Sequence, residues 1–190
     1  MTARLKPVDP TREPGIIVRV YAALAATRVA RFISRHINWK LDPLLLRATR
    51  GRLATTLVFP TALLETKGAR SGAGRRNAII YFHDGNRVTI AASNAGDTKH
   101  PGWYHNLCAH PDVTFGGIPM RAKVVSDAAE RERLWELADR VFPAFANYRR
   151  DAAKVHRTIP IVQLTRRAVR SDGAHGPGIW GGSEPTKGGR

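Results

Sequence analysis

The chain has 190 residues, 43% of them hydrophobic, a formal net charge of +16 and one cysteine. That size supports one domain with a real core, and a lone Cys108 excludes an internal disulfide framework and fits a reducing cytosol. The charge points to an anionic partner, either a cofactor or a membrane face, and not to nucleic acid, because neither a basic stripe with interleaved aromatics nor a reader motif occurs.

Residues 1–52 hold 11 Lys or Arg against three acids, and so carry half of the basic excess. The first fifteen residues are polar, with three prolines and no apolar run, which predicts a disordered lead and not a secretory signal. Ile16 to Asn38 reads as one amphipathic helix, with Arg28, Arg31 and Arg35 on one face and Val29, Phe32, Ile33 and Ile37 on another. Arg19 and Arg28 interrupt it before the roughly 20 apolar residues of a membrane span accumulate. Two readings stand open for it: lying on an anionic bilayer with its arginines snorkelling, or packing on its own domain. The expected location is cytoplasmic, and on the first reading peripheral, at the inner face of the cell membrane.

From Leu53 the periodicity becomes that of strands. Leu53 to Thr66 is rich in β-branched residues and broken at Pro60; Asn77 to Phe82 and Val88 to Ala92 flank a hairpin connection, His83-Asp84-Gly85-Asn86. Val113 to Phe115 and Met120 to Val125 flank Gly116-Gly117 in the same way, and Ile159 to Leu164 gives a late strand. Asp127 with Glu130 three residues on predicts a helix through Arg140, striped by Leu134, Leu137, Ala138 and Val141 and stopped by Pro143. A second short helix holds Phe145 and Tyr148. These elements predict a mainly β fold with flanking helices, its sheet closing on itself, over residues 53–165, between the basic front (1–52) and a loose Gly-rich and basic tail (166–190).

Two segments carry chemistry. Lys67-Gly-Ala-Arg-Ser-Gly-Ala-Gly-Arg75-Arg76 combines glycines, which let a backbone turn its N–H groups inward as a nest, with Lys67, Arg70, Arg75 and Arg76 as charge for phosphate or carboxylate. It lacks the ending of a P-loop and is not a dinucleotide fingerprint, and taken alone it also reads as an ordinary solvated hairpin, because Gly and Arg cluster in turns. In Ala91 to Asp112 a strand ends at Ala92, a Ser-Asn-Ala-Gly turn follows, and Pro101 opens a short helix presenting Trp103, Tyr104 and Asn106. Free backbone N–H groups beside a flat aromatic suit a ligand with both anionic groups and a ring system.

The order Leu63-Leu64-Glu65-Thr66-Lys67-Gly68, Ser71-Gly72, Arg75, Tyr81-Phe82, Asp84-Gly85, Ala92-Ser93, Gly96, Lys99, Pro101, Trp103-Tyr104, Asn106-Leu107 and Pro111-Asp112-Val113 resembles the deazaflavin-dependent nitroreductase family. Arg157-Thr158-Ile159-Pro160-Ile161-Val162 is similar to that family's last strand. The resemblance implies a split β-barrel of the flavin-reductase type and reduced coenzyme F420 as hydride donor. It also implies a lipophilic acceptor, such as a quinone, a nitroaromatic or an activated double bond, and frequent association with membranes. The alternative is a non-catalytic barrel of the same superfamily that holds a fatty acid or another lipid.

Coenzyme F420 carries a phosphate and an oligoglutamate tail on a planar tricycle, chemistry that clustered Arg and Lys, a glycine nest and an aromatic platform would match. On the family pattern Arg70, Ser71 and Arg75 meet the phosphate and tail, with Arg76 and Asn77 beside them. Ala92, Ser93, Asn94, Lys99, Trp103, Tyr104 and Asn106 belong to the frame around the ring and ribityl chain. Phe142, Phe145 and Tyr148 fall over the acceptor, with Tyr148 and Ser93 the expected donors to its developing charge. Ala69 stands where many relatives carry Arg or Lys, and Asn94 where some carry Lys; Arg76 is placed to replace one of those charges. His100, His105 and His110 recur beside Cys108, but Pro101 and Pro111 break any shared helix face, and no metal site is expected. Trp135 reads as a packing residue.

Overall fold

The computed structural model describes residues 5–11, 15 and 59–167. The expected front helix, the first part of the Leu53 segment and the tail beyond Arg167 lie outside the described residues.

Strand β1 (Thr61–Lys67) turns Ala62, Leu64 and Thr66 inward by simple alternation. It pairs along its whole length with β2 (Gly74–Asp84), which begins three residues before the expected Asn77 because Gly74, Arg75 and Arg76 face Lys67, Thr66 and Glu65 in the register. The connection to β3 (Arg87–Ala91) is shorter than expected, Gly85-Asn86 alone, with Gly85 at φ +57°. Strands β4 (Asp112–Phe115) and β5 (Ile118–Val124) are joined by Gly116-Gly117, both at positive φ, the backbone that a two-residue hairpin of native twist demands. Strand β6 (Ile161–Arg166) lies between β3 and β5, and β4 returns to β1, so the order β1-β2-β3-β6-β5-β4 closes a six-stranded antiparallel barrel.

Helix α1 (Gly102–Ala109) connects β3 to β4; α2 (Ala128–Val141) and α3 (Ala144–Ala153) connect β5 to β6. Asp127 caps α2 by accepting the Glu130 amide at 2.7 Å, and Pro143 separates the two helices. The buried stripe of α2 is Leu134, Trp135 and Ala138, whereas Leu137 and Val141 are only half-buried. Trp135 takes their place because its ring packs edge-on against Phe145 and under the Arg149 guanidinium. Two apolar clusters result: the barrel interior, with Leu64, Ile90, Phe115 and Leu164, and a layer between sheet and helices, with Phe82, Ile161, Leu134 and Phe145.

The expected disordered lead is corrected over residues 5–11. Val8 exchanges two hydrogen bonds with His83, its amide donating to the imidazole Nδ1 at 3.1 Å and its carbonyl accepting the His83 amide at 3.0 Å. The Tyr81 hydroxyl donates to the Lys6 carbonyl, and Leu5 and Val8 pack on the core. Two apolar side chains with three hydrogen bonds offset the ordering entropy that a polar, proline-rich composition predicts to dominate. The far end differs as well: strand pairing runs past Leu164 to Arg166, and the Arg167 amide donates to the Pro119 carbonyl. Among the described residues no helix is long and apolar enough to cross a membrane.

Candidate functional site

A cavity of about 990 Å³ opens beside the first half of β2. Residues Gly74 to Ile80 run along it, and the rest of its wall comes from the turn after β3, from α1 and from the α2–α3 corner. Arg75 and Ile80 are five residues apart on an extended strand, a separation of about 17 Å. Ile80 packs with the cluster containing Phe142, Phe145 and Tyr148, so the cavity has a cationic end at Arg75 and Arg76 and an aromatic end at the helices. Trp103, 6% exposed and packed into the barrel core, stands in the wall on the α1 side.

The wall after β3 is held tightly. Asn94, Ala95 and Gly96 all have positive φ, at 49°, 51° and 77°, a run that side chains other than glycine adopt at a cost. Gly96 is required: a Cβ there would meet the Tyr148 Cα at 3.1 Å and its carbonyl at 3.2 Å. Asn94 Nδ2 donates to the Lys99 carbonyl at 2.9 Å. Beneath the turn lies Arg157, 9% exposed, whose guanidinium donates to the carbonyls of Ala92 (2.6 Å), Ser93 (3.1 Å) and Asp97, and from Nε to His100 Nδ1 (3.2 Å). One buried cation thus satisfies four acceptors of a loop that would otherwise bury them unpaired. Burial lowers the Arg157 pKa against a smaller opposing pull from Asp97. Burial also lowers that of His100, helped by Arg157 and His105.

The glycine loop is built differently from the expected nest. Gly68 donates to the Ala73 carbonyl (2.8 Å), Gly72 to the Gly68 carbonyl (2.9 Å), Ala69 to Asn106 Oδ1 (3.0 Å) and Ala73 to the Ser71 hydroxyl (3.4 Å). Those four amides have partners within the protein, and side-chain charge is the larger part of what the loop offers an anion. Within that charge Arg76 is matched, its Nε donating to Glu65 Oε1 at 2.7 Å directly across the strand pair. Arg75 has no ion-pair partner among the described residues and stands exposed on the cavity wall.

Of the residues expected in the site, Arg75, Arg76, Asn77, Ser93, Asn94, Trp103, Asn106, Phe142, Phe145 and Tyr148 line this one cavity. Five others stand outside its walls. Arg70 and Ser71 are exposed in the loop, and the Ser71 hydroxyl folds back on Ala73. Ala92 is fully buried, with its amide on Pro160 and its carbonyl on Arg157. Lys99 reaches the wall only through the carbonyl that holds Asn94. The Tyr104 ring packs against His100 and His105, and burial and its Cys108 contact raise its hydroxyl pKa. Asn106 is a wall residue whose amide is already engaged, accepting from Ala69 and donating to Thr66 Oγ1 at 3.1 Å, so it shapes the site by holding β1 and its loop. Phe142 and Phe145, 6% and 5% exposed, are packed edge-to-face with each other and Phe142 with Phe59; they form a fixed wall and not an exposed lid. Sequence reasoning assigned no site role to Arg157 or His100. For Arg157 the available signal was a charged residue four positions before the start of an apolar strand, where burial requires partners.

The sequence model of the F420H(2)-dependent quinone reductases matches residues 40–166. An F420H(2)-dependent quinone reductase of Mycobacterium tuberculosis is 33% identical over 150 residues, covering 73% of this chain and 99% of the relative. The chain belongs to the F420H(2)-dependent quinone reductase family. Membership makes it an F420-dependent oxidoreductase and agrees with the split-barrel architecture expected from the sequence. Among solved structures, an F420-H2 dependent reductase (FDR-A) is similar at 30% identity and a TM-score of 0.48, over 55% of this chain and 93% of that one. As a member of the quinone reductase family the chain has a small hydrophobic molecule as its expected acceptor.

Proposed function

We propose that this protein transfers a hydride from reduced F420 to a flat, lipophilic quinone, and that the cavity beside β2 is where both are held. The observation that carries the proposal is the polarity of that cavity, cationic at Arg75 and Arg76 and aromatic at Phe142, Phe145 and Tyr148. The residues fit the coenzyme: an exposed guanidinium without an ion-pair partner among the described residues suits its phosphate and acidic tail, and about 990 Å³ beside Trp103 suits a tricyclic ring. A fatty acid would use that cationic end for a single carboxylate and would leave the aromatic wall beside Trp103 without a ring to contact.

When bound, the reduced coenzyme supplies the hydride, so the chain needs no nucleophile of its own. Its residues bind and orient. Arg75 would anchor the coenzyme's anionic end; the turn at Asn94 to Gly96, held by Arg157, would give its ring a firm wall; and Phe142 and Phe145 would exclude water from the aromatic end of the cavity. Ser93 and Tyr148 both line the cavity, which supports them as the donors to the acceptor oxygen as negative charge grows there. Nitroaromatics and activated double bonds share the flat, electron-poor character that this site selects and stand as secondary acceptors. The test is to titrate the protein with F420, FMN and NADPH, then mix the F420H2-loaded form with a menaquinone analogue. Tight binding of F420 alone with rapid reoxidation supports the proposal, and no reoxidation overturns the choice of a quinone.

A further inference from the structure

His100 stands in the cavity wall between the Ser93 turn and Trp103. Its Nδ1 accepts from Arg157 Nε at 3.2 Å. A guanidinium can only donate, so Nδ1 carries no proton and the neutral ring must carry its one proton on Nε2. Arg157 has no freedom to release this hold, because its other nitrogens are committed to the carbonyls of Ala92, Ser93 and Asp97. Nε2 itself finds no partner among the described residues. Burial, Arg157 and His105 all disfavour a second proton on the ring. His100 is half-buried and its Nε2 is not among the buried atoms without a partner, so this donor of fixed tautomer meets solvent at a cavity wall, where an acceptor on a ligand can replace water.

We propose that His100 is a further specificity-determining residue, locked by Arg157 as a neutral Nε2–H donor that hydrogen-bonds a carbonyl oxygen of the conjugated ring in the cavity. Two rings offer such an oxygen, the deazaflavin and the quinone. The proposal rests on reading the cavity as an F420 and quinone site, and it adds a reason for a carbonyl-bearing acceptor: a site with a fixed donor rejects an analogue that leaves the donor unpaired. Arg157 is the positioning residue, acting through His100.

The tautomer is measured first, on the full-length protein alone, by ¹⁵N–¹H correlation of the imidazole at pH 7.5. The expected result is Nε2–H with unprotonated Nδ1, and Arg157→Gln is expected to give a mixture of tautomers. Protonation at Nδ1 in the wild type overturns the lock. His100→Phe and His100→Gln are then compared, Gln retaining an N–H donor near the same place. Phe is expected to cost about tenfold in either F420 affinity or the menadione KM, and Gln to recover most of it. Loss in the F420 titration assigns the donor to the coenzyme, and loss confined to the menadione KM assigns it to the acceptor. A wild type that binds F420 and reduces menadione no better than His100→Phe overturns the donor alone. A wild type that binds neither molecule overturns the cavity reading and the donor with it.

Discussion

Asn106 Oδ1 accepts the Ala69 amide at 3.0 Å while its Nδ2 donates to the buried Thr66 Oγ1 at 3.1 Å, so a single side chain on α1 fixes both the end of β1 and the start of the glycine loop. Asn106→Ala is expected to lower stability by about 1–2 kcal/mol, the cost of leaving a buried hydroxyl short of a partner, and to weaken F420 binding by loosening the loop. Asn106→Asp keeps the acceptor for Ala69 and lets the Thr66 hydroxyl reverse and donate, so it should lie nearer the wild type in both a denaturant titration and an F420 titration.

The two arginines at the cationic end are expected to differ. Arg75→Ala should weaken F420 binding by about 1.5–3 kcal/mol, the size of a lost charge-assisted hydrogen bond, with the melting temperature unchanged because the side chain is exposed. Arg76→Ala should cost less, since Glu65 already neutralises it at 2.7 Å. Glu65→Gln releases that guanidinium and should tighten F420 binding. Calorimetric titration of the three variants ranks them, and equal losses at Arg75 and Arg76 would contradict the pairing.

Tyr148→Phe removes the hydroxyl of a cavity-lining residue and keeps the ring, which is 6% exposed in the aromatic layer. For a menaquinone analogue, kcat should fall about tenfold to a hundredfold, as the loss of one donor to developing oxyanion charge does, with F420 affinity unchanged. Stopped-flow reoxidation of the loaded protein provides the measurement; turnover equal to the wild type would reduce Tyr148 to packing.

The N-terminal strap should loosen in acid through His83. Its Nδ1 accepts the Val8 amide only when unprotonated, and burial holds its pKa below the ordinary histidine value. A depressed folded-state pKa means that the contribution is complete above the unfolded value, near 6.5, and is lost as pH falls through the lower folded value. Thermal melts at pH 7.5 and pH 5.5 should show a larger drop for the wild type than for His83→Phe, whose strap lacks the titrating acceptor at both values. Parallel behaviour of the two proteins would assign the acid sensitivity elsewhere.

Gly96→Ala should destabilise by about 1–3 kcal/mol, combining a strained φ of +77° with a Cβ placed 3.1 Å from the Tyr148 Cα. Because that contact joins the turn to α3, kcat for the quinone should fall along with the denaturation midpoint.

The hairpins and the α2 cap were legible because their determinants are local: Gly116-Gly117 between two short apolar runs, and Asp127 three residues before Glu130. The residues that the resemblance pointed to include half of those that line the cavity. What sequence could not supply was the destination of each polar group. Glycines at 68 and 72 announce a loop that can bend but not that its amides bond inward, and the Glu65–Arg76 pair exists only once the β1–β2 register is known. Arg157 reaches partners 57 to 65 residues upstream, beyond any periodic pattern. The strap went unseen because composition weighs Leu5 and Val8 against three prolines without knowing that His83 and Tyr81 wait opposite.

The barrel is not sealed evenly around its circumference. Strand β1 faces β2 across seven residue pairs but meets β4 across only two, Leu64 with Phe115 and Glu65 with Thr114. With so few rungs, this seam is where the cylinder unzips at least cost, and its amides should exchange with solvent ahead of those between β3 and β6. The flap that swings out on such an opening is the β1–β2 hairpin, and that hairpin carries Arg75, Arg76 and the glycine loop. The same cavity is walled by that hairpin and by Ser93, Asn94 and Trp103, so a ligand bridging the two sides at the proposed site should slow exchange along the seam.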